Sequence, residues 1–508
     1  MMIRQAFRNR AVVILLFLLF TRLVAMVFIP LNDHTEARYA EIARLMLESG
    51  NWVTPMQSTG VPFWAKPPLS TWLSAGSMGI FGAHPWAARM PALLLSLGVL
   101  WLIWHFSKKH NGLLTALVTT LILSSSVFFC LNAGAVMTDP ALVFCTTLSL
   151  IAFWECVVNR SQGWGYLFFL ALGLGLLAKG PIALVLTGMP IFFWVLRHKY
   201  RWIALWQQLP WFSGVFLMLL VAMPWYLLAE FKTPGFLNYF IIGEHFHRFV
   251  NPGWGGDKYG FAHTAPFGMI WIYAFVGMLP WSVFAILWLI KDMKLNYLKR
   301  FQVLISNMRL CNHDGWVSYL ILCAVIPLVF FTFSSNIIYP YVFPSLPFIA
   351  LLIAEIANRF YLKSKHIENQ LLSISLITGI GFLVASVLFV LKPQWVSHSQ
   401  DRVIAAYQEQ PHQSQSRLIY WLPKLDFSAQ FYSYGQAIAT INPPELSKLL
   451  SNYADNYLVI HIGESPAVPG VISKRLIHIK TIAVSKDKYV LYRLTNMSHD
   501  GLFRQEPH

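Results

Sequence analysis

Two carboxylates follow the first long apolar segment of the chain directly. They are Asp33 and Glu36, and Arg38 comes two positions after the second. A spacing of three places both carboxylates on one face of the chain if the backbone is helical. Such a pair provides a general base or orients an acceptor group, although an Asp before a helix is also a common N-terminal cap. Arg38 either binds a phosphate or pairs with a neighbouring glutamate.

Three more charged residues interrupt apolar sequence further along the chain. Lys66 stands between Trp64 and a Pro-Pro pair, Lys179 separates two apolar runs, and Asp139 precedes Pro140. An ammonium group is a compact charge suited to phosphate, whereas a lysine at a membrane interface also simply extends its ammonium into water. Asp before Pro is typical of a helix start. Because charges beside hydrocarbon are costly, we interpret all three as functional, with Asp139 as a further catalytic candidate.

A further polar group lies in the segment 234–263. Glu244, His245 and Arg248 are at helical spacing and present groups to a phosphate or a sugar, or else form the polar edge of an interfacial helix. The histidines near Glu244 do not have a recognised zinc spacing, so we expect no metal site; nothing in the sequence indicates a divalent cation or another cofactor. Tyr341 belongs to a Pro-rich helix entry of the kind that lines cavities.

The elements that must position these residues are membrane helices. Of the 508 residues, 56% are apolar and 12% charged, which is typical of a polytopic membrane protein. Single apolar runs long enough to cross a bilayer must be helical, because only a helix satisfies its own backbone groups. We predict roughly 11 to 13 transmembrane helices. The assigned segments are 11–29, 87–107, 112–131, 140–158, 164–178, 181–196, 208–229, 267–290, 316–333, 341–357 and 369–391.

The formal charge of +16 reflects topology rather than nucleic-acid binding. The lysines and arginines form small clusters between apolar runs, and with the N-terminal arginines inside, alternation places every short basic cluster on the inner side. The first segment is then a retained signal anchor. The opposite, outer face receives the charged residues described above. Five scattered cysteines indicate neither a disulfide framework nor a zinc site.

Two regions are predicted. Residues 1–392 form the transmembrane bundle, with outer segments 30–86 and 230–266, and within the first of these residues 36–48 form an amphipathic interfacial helix. Residues 393–508 form a small outer α/β domain, since apolar runs there become short, in the manner of strands. These runs are 417–422, 430–434, 457–462, 476–484 and 489–494, with a helical piece at 444–451.

Several motifs occur in order through the bundle. They include Thr35-Glu-Ala-Arg-Tyr, Phe63-Trp-Ala-Lys-Pro-Pro, Thr138-Asp-Pro, Ala178-Lys-Gly-Pro, Gly243-Glu-His-Phe-His-Arg-Phe, Pro252-Gly-Trp-Gly-Gly-Asp and Tyr341-Val-Phe-Pro. As a set they resemble the bacterial 4-amino-4-deoxy-L-arabinose lipid A transferases and the wider group of protein O-mannosyltransferase-like membrane glycosyltransferases. The resemblance implies a C-type glycosyltransferase fold in the bacterial inner membrane, with the active site facing the periplasm.

The resemblance also implies residue roles, with departures. The family's acidic pair falls on Asp33 and Glu36, but the usual Asp-Glu-x-Arg-Tyr is Thr35-Glu-Ala-Arg-Tyr here, so either carboxylate is the candidate base. Lys66 falls on the family's Lys-Pro site, although the usual preceding Glu is Ala65 here. Asp139 falls on the second acidic site, and Lys179 falls on a phosphate-binding lysine. The family's Ser-Lys near the last motif is Ser-Asn in this chain, which removes one cation.

The predicted substrate is a lipid-linked phosphate, because the sequence has no P-loop and no dinucleotide fingerprint. A polyprenyl (undecaprenyl) phosphate sugar is the implied donor, and lipid A or another envelope glycan or lipid is the acceptor. Lys66, Lys179, Arg38, His245 and Arg248 are the expected phosphate ligands, with Glu244 and Tyr341 as further substrate contacts. The alternatives are a protein O-mannosyltransferase-like enzyme and a polyprenyl-sugar transporter, although transporters place their charges nearer the midplane.

Overall fold

The computed structural model divides into two units, each of which combines two separate stretches of sequence. It describes residues 2–198, 201–260, 263–288, 290, 315–360, 365–393, 397–411, 416–450 and 455–494. The first unit comprises Met1–Val27 and Leu45–Val384, and the second comprises Phe28–Arg44 and Ala385–His508. The segment that carries Asp33, Glu36 and Arg38 therefore groups with the C-terminal part of the chain.

Helices form most of the chain up to residue 391, together with one two-stranded sheet. In chain order the elements up to the end of the bundle are α1 Met2–Phe28, α2 Glu36–Ser49, β1 Met56–Ser58, β2 Val61–Pro62, α3 Leu69–Phe81, α4 Pro85–Ser124, α5 Val127–Asn132, α6 Asp139–Asn159, α7 Gln162–Lys179, α8 Ile182–Arg197, α9 Arg201–Gln208, α10 Trp211–Lys232, a π-helix Asn238–His247, α11 Arg248–Val250, α12 Met269–Gly277, α13 Trp281–Trp288, α14 Trp316–Thr332, a 3-10 helix Tyr339–Ser345, α15 Leu346–Phe360 and α16 Lys365–Leu391.

Local sequence explains where several helices begin and end. Pro140 occupies the first turn of α6, where its missing N–H costs nothing. Helix α4 is broken at Gly112, whose φ of 85° lies outside the helical region. Gly180, with a φ of 86°, ends α7 directly after Lys179. Glycine tolerates this left-handed backbone, so the chain can turn from α7 into α8 without moving Lys179 away from the helix end.

The described residues include several helices that are long enough to cross a bilayer. Among the described residues six helices meet the length and composition expected of a span, and the pair α12 and α13, bent by 94°, makes a seventh if counted as one. Helices α8 and α14 coincide with predicted spans, but at 16 and 17 residues they are shorter than the six helices counted as spans. The described residues thus have a helical, multi-span character, and the count of 11 to 13 stays a prediction. The basic cluster at 291–309 lies outside the described residues.

Buried aromatic side chains fill the interior of the bundle. Trp154 of α6 packs at 5.7 Å from Trp194 of α8 and at 5.0 Å from Trp316 of α14, measured between ring centroids. Helix α6 also carries a buried carboxylate near each end, Asp139 and Glu155. At a rise of about 1.5 Å per residue these carboxylates lie roughly 24 Å apart along the axis. The groups around Asp139 and Glu155 are therefore separate clusters.

The second unit contains a five-stranded sheet of strand order β4-β3-β5-β7-β6. Its elements are α17 Asp401–Gln408, β3 Leu418–Tyr420, α18 Phe427–Tyr432, β4 Ile438–Ala439, α19 Pro443–Leu449, β5 Asn456–His461, α20 Gly470–Ser473, β6 Leu476–Val484 and β7 Asp487–Leu494. Strand β3 pairs in parallel with β4 and β5, while β7 is antiparallel to β5 and β6. The apolar run 430–434 is wrong as a strand, because α18 covers most of it.

Candidate functional site

A cavity in the first unit gathers most of the predicted phosphate ligands. Its volume is about 80 Å³, and its walls come from the loop after β2, the α7–α8 junction, the π-helix and the 3-10 helix. The polar and charged lining residues are Lys66, Lys179, Glu244, His245, Arg248, Ser334, Asn336 and Tyr341. Apolar side chains complete the wall, among them Leu142, Ile182 and Phe331. The cavity thus combines cations with an apolar surface, as a lipid-linked anion requires.

Glu244 is the acidic centre of this cavity. Its carboxylate lies 3.1 Å from the ammonium of Lys66 and 3.1 Å from the guanidinium of Arg248, and its side chain is only 2% exposed. Tyr239 donates its hydroxyl hydrogen to the other carboxylate oxygen at 3.2 Å. Burial by itself would raise the pKa of Glu244, but the two neighbouring cations outweigh burial and hold that pKa below its usual value. Glu244 is therefore an ionised counter-ion.

Arg248 connects this carboxylate to a second one. One terminal nitrogen of its guanidinium lies 3.2 Å from Asp257, and Asp257 also accepts a hydrogen bond from the backbone N–H of Tyr259. The Nε of Arg248 is buried and has no hydrogen-bond partner among the described residues. A buried donor without a partner is costly, so the site has capacity for an additional acceptor such as a phosphate oxygen.

Lys179 forms the second ion pair of the site. Its ammonium lies 2.6 Å from the carboxylate of Asp139 and 5.4 Å from the centre of the Tyr341 ring. Both side chains of the ion pair are largely buried, at 12% and 7% exposure. An ammonium group has three donors, and Asp139 uses one of them. The N-cap residue of α6 is Thr138, and Asp139 is the first residue of the helix. Asp139 is the counter-ion of Lys179.

His245 lines the cavity but faces backbone rather than open space. Its Nδ1 lies 2.8 Å from the carbonyl oxygen of Phe240, and its Nε2 lies 3.2 Å from the carbonyl oxygen of Lys179. Burial lowers the pKa of His245, and the nearby charge of Lys66 lowers it further. The geometry supports a role in fixing the Lys179 backbone more than the predicted role as a cationic phosphate ligand.

Asp33, Glu36 and Arg38 belong to the second unit. Asp33 accepts hydrogen bonds from the backbone N–H of Ser428, at 3.0 Å, and from the Ser428 hydroxyl. Burial, reinforced by the charge of Asp426, raises the pKa of Asp33 to about 7. Glu36 is the first residue of α2, and the guanidinium of Arg38 lies 5.4 Å from the centre of the Tyr39 ring. These three predicted site residues thus belong to the second unit, whereas the cavity residues belong to the first.

Three residues of the site were not among the sequence-based site predictions. Tyr239 and Asp257 complete the hydrogen bonds and ion pairs of Glu244 and Arg248. Asn336 donates to the carbonyl oxygens of Arg248, at 2.6 Å, and Asn251, at 2.8 Å. The Gly-Gly-Asp motif is a signal for Asp257 and the Ser-Asn departure is a signal for Asn336, whereas nothing local marks Tyr239. Asn336, at the position of the missing cation, fixes the backbone of Arg248.

A metal centre is not evident in the described part of the chain. No group of three or more His, Cys, Asp or Glu side chains there has the arrangement of a metal site. The cations of the cavity are supplied by side chains, and each described ion pair there joins one cation to a buried carboxylate. This arrangement is chemically suited to holding an anion near a hydrophobic wall.

Comparisons with known proteins agree with the motifs. Residues 11–240 match the family model described as dolichyl-phosphate-mannose-protein mannosyltransferase. The chain is 28% identical over 418 residues to undecaprenyl phosphate-alpha-4-amino-4-deoxy-L-arabinose arabinosyl transferase 1 of Pseudomonas fluorescens, covering 72% of this chain and 67% of that protein. It is 28% identical over 364 residues to the corresponding transferase of Edwardsiella ictaluri, covering 70% and 61%. The chain thus spans about two thirds or less of the length of these curated relatives.

The fold also has a solved counterpart. The crystal structure of ArnT from Cupriavidus metallidurans bound to undecaprenyl phosphate superimposes with a TM-score of 0.72 at 19% identity, covering 96% of this chain and 98% of that one. The apo form of the same protein gives a TM-score of 0.70. The resemblance that the motifs indicated is therefore confirmed, and the fold is similar to that of this crystal structure.

Proposed function

We propose that this chain is a membrane glycosyltransferase that moves a sugar from a polyprenyl phosphate to lipid A or another cell-envelope acceptor. The observation that carries the proposal is the convergence of Lys66, Lys179 and Arg248 on one cavity that also has an apolar wall. Polyprenyl phosphate combines an anion with a hydrocarbon chain and therefore matches both surfaces. The similarity to undecaprenyl phosphate-dependent transferases gives the same substrate class.

The cations stabilise the leaving group. As the bond between the anomeric carbon and the phosphate oxygen breaks, negative charge grows on the phosphate, and fixed cations lower the energy of that state. Lys179 has N–H groups beyond the one used by Asp139, and Arg248 has a buried Nε without a partner among the described residues. These two groups are the proposed direct phosphate ligands, and Lys66 supplies the third positive charge.

The acceptor oxygen attacks the anomeric carbon from the side opposite the phosphate, so the configuration inverts. A new carbon–oxygen bond forms, polyprenyl phosphate departs, and the acceptor proton passes to a carboxylate. Asp33 and Glu36 remain the proposed bases. A pKa of about 7 for Asp33 suits a base that works near neutral pH. An acceptor that is already an ionised phosphate needs no base, and the carboxylate then orients the sugar.

The setting of this reaction is proposed together with the chemistry. The chain is a multi-pass protein of a bacterial inner membrane with its site towards the periplasm, residues 1–392 forming the catalytic bundle and 393–508 a periplasmic domain. The full count of 11 to 13 spans belongs to this proposal, with the shorter helices α8 and α14 included. Donor and acceptor then both reach the site from the membrane, and no nucleic acid is a partner.

A second candidate is transfer to a protein acceptor. It is favoured by the match of residues 11–240 to the protein mannosyltransferase model. Both candidates share the polyprenyl phosphate donor and the same cations. They differ in the acceptor, so product analysis separates them.

The test is mass spectrometry of lipid A, surface glycans and envelope proteins from cells with the gene, without it, and with single variants. Loss of one sugar-sized mass in the deletion strain identifies the product. We expect Lys179→Ala and Lys66→Ala to fail to restore that mass, while Lys232→Ala, which removes an exposed lysine at the end of α10, restores it fully. Full restoration by Lys66→Ala and Lys179→Ala would refute the phosphate assignment. Unchanged glycans and proteins, with polyprenyl-linked sugar accumulating inside, would indicate the transporter instead.

A further inference from the structure

A second cavity lies beside the cationic one and has a different lining. Its volume is about 600 Å³, within the range of about 300 to 1,000 Å³ that is typical of small-molecule sites. Its walls carry Trp64, Tyr239, His247, Trp254 and Lys258. The cationic cavity, at about 80 Å³, is too small for a phosphate and two sugars together. The larger cavity therefore provides space that the reaction needs.

Four aromatic rings form a continuous wall of this second cavity. The ring of Tyr239 lies 6.0 Å from that of Trp64 and 6.0 Å from that of Trp254, between centroids. The ring of His247 stacks on Trp254 at 6.4 Å with an interplanar angle of 21°. Aromatic faces carry negative charge and attract the slightly positive C–H groups of a pyranose for the same reason that they attract cations.

The backbone is shaped to hold Trp254 in this wall. A methyl group added at Gly243 would come within 2.9 Å of the indole, and one added at Gly256 within 2.5 Å. Both distances are too short for a real contact, so the two positions must lack side chains for the indole to fit. The indole is thus held between two glycines and is not a side chain lying loosely on the surface.

Lys258 gives this cavity a positive charge. Its ammonium lies 4.3 Å from the centre of the Trp64 ring and 5.1 Å from that of Tyr239. Within the described part of the chain no carboxylate lies within ion-pair distance of Lys258. The adjacent Asp257 pairs with Arg248 instead. An ammonium above aromatic faces, with no carboxylate partner there, is suited to a ligand that is both a sugar and an anion.

The two cavities share one wall. Tyr239 lines the aromatic cavity and donates its hydroxyl hydrogen to Glu244, which lines the cationic cavity and pairs with Lys66. Trp64 lines one cavity and Lys66, two residues later, lines the other. The hydrogen-bonded side chains of Tyr239 and Glu244 therefore connect the walls of the two cavities.

From these observations we infer that the aromatic cavity is the acceptor subsite and that it binds a phosphorylated saccharide head group. The inference rests on the proposed function for the identity of its ligand as the acceptor. The sugar ring packs against Trp254 and Tyr239, and its phosphate displaces the ammonium of Lys258 from the ring faces and pairs with it. Chains of the acceptor lipid extend away into the bilayer.

The test is calorimetric titration of the full-length protein in phosphatidylcholine nanodiscs. The probes are a phosphorylated glucosamine disaccharide without acyl chains, its dephosphorylated form, and undecaprenyl phosphate. We expect the phosphorylated disaccharide to bind the unaltered protein about tenfold more tightly than the dephosphorylated form, as for a charge-assisted hydrogen bond. Lys258→Gln should abolish this difference. Trp254→Ala should weaken both disaccharides about tenfold, as for the loss of ring stacking.

Matched controls separate this site from general effects. Lys232→Gln removes an exposed lysine outside the cavity, and Phe246→Ala removes an exposed aromatic ring from the same π-helix; both should bind the disaccharides normally. Undecaprenyl phosphate should bind Lys258→Gln and Trp254→Ala as it binds the unaltered protein. The acceptor assignment is refuted if these two variants no longer bind undecaprenyl phosphate. It is also refuted if Lys258→Gln still binds the phosphorylated disaccharide more tightly than the dephosphorylated form. Because Lys258 is exposed, its variant remains informative even if Trp254→Ala does not fold.

Three further outcomes distinguish a failure of the proposed subsite from a failure of the proposed function. Displacement of the disaccharide by phosphatidylglycerol in the nanodisc would identify the occupant as a lipid head group and would overturn the inference. Sugar transfer that does not depend on Lys258 or Trp254 would leave the proposed function standing and refute the subsite. Conversely, selective disaccharide binding by a protein with no transfer activity would support the saccharide site and refute the proposed function.

Discussion

The carboxylate of Glu244 lies 3.1 Å from the ammonium of Lys66, although 178 positions separate the two residues in the chain. Arg248 pairs with the same carboxylate from one helical turn away. This single buried anion therefore holds two cations of the proposed phosphate site in place before any substrate binds. Substrate phosphate then enters a site whose positive groups are already ordered, which reduces the entropic cost of binding.

Glu244→Gln tests this counter-ion role. The change removes the carboxylate that pairs with both Lys66 and Arg248. We therefore expect the free energy of unfolding to fall by about 3 to 5 kcal/mol, as for other broken buried ion pairs. Undecaprenyl phosphate supplies the missing anion. The rise in melting temperature on adding it should therefore be larger for Glu244→Gln than for the unaltered protein. Thermal unfolding in detergent with and without the lipid measures both effects, and an equal rise in the two proteins would contradict the role.

A double variant of Asp139 and Lys179 separates the structural role of this ion pair from phosphate binding by Lys179. Either Asp139→Asn or Lys179→Met alone leaves one buried charge unpaired and should cost about 3 to 5 kcal/mol. The double variant removes both charges and should recover much of that stability. Sugar transfer should stay absent in the double variant, because Lys179 is a phosphate ligand in our proposal. Recovery of transfer along with stability would show that Lys179 serves only the ion pair.

Gly180→Ala tests how the end of α7 positions Lys179. Gly180 has a φ of 86°, and a methyl group there would meet the Phe240 ring at 2.6 Å and His245 at 3.1 Å. We expect a loss of at least about 1 to 2 kcal/mol from backbone strain alone. Weaker binding of undecaprenyl phosphate should accompany it, because Lys179 shifts.

Gly188→Ala is the matched control for this change. Gly188 lies inside α8 with no atom within 4 Å of the added methyl group, so the same substitution should stabilise the helix by about 0.5 to 1 kcal/mol. Melting temperatures and titrations of both variants provide the measurement. Normal lipid binding by Gly180→Ala would argue against a positioning role for this turn.

The pH dependence of stability should report Asp33. Its pKa rises from 3.8 to about 7 on folding, so folding favours the protonated form. The resulting contribution to stability is complete below about pH 4 and is lost as the pH rises through about 7. Melting temperatures measured from pH 5 to 8 should therefore fall more steeply for the unaltered chain than for Asp33→Asn. Glu409→Gln, at an exposed position, should keep the slope of the unaltered chain, and an unchanged slope in Asp33→Asn would refute the assignment.

Much of the architecture follows from local sequence. Long apolar runs predict the helices, and all eleven predicted helical segments overlap α1, α4, α6, α7, α8, α10, α14, α15, α16 or the bent pair α12 and α13, with two of the segments falling on α4. The number of membrane spans does not follow from the apolar runs alone, because Gly112 divides α4 and the lengths of α8 and α14 depend on packing. The apolar run 430–434 formed a helix, since a short run fits a strand and a buried helical turn equally well.

For the charged residues, too, the sequence predicts one part of the site and the tertiary structure decides the other. The sequence alone marks Lys66, Lys179, Asp139 and Glu244 as unusual, because a charge among apolar residues is costly wherever the chain places it. It does not determine which of these charges form pairs. Only the tertiary structure brings Lys66 to Glu244, Asn336 to the carbonyl of Arg248, and Asp33 to Ser428, 395 positions away. Helix formation depends on neighbours within a few residues, whereas ion pairs and pKa values depend on which distant segments pack together and how much water they exclude.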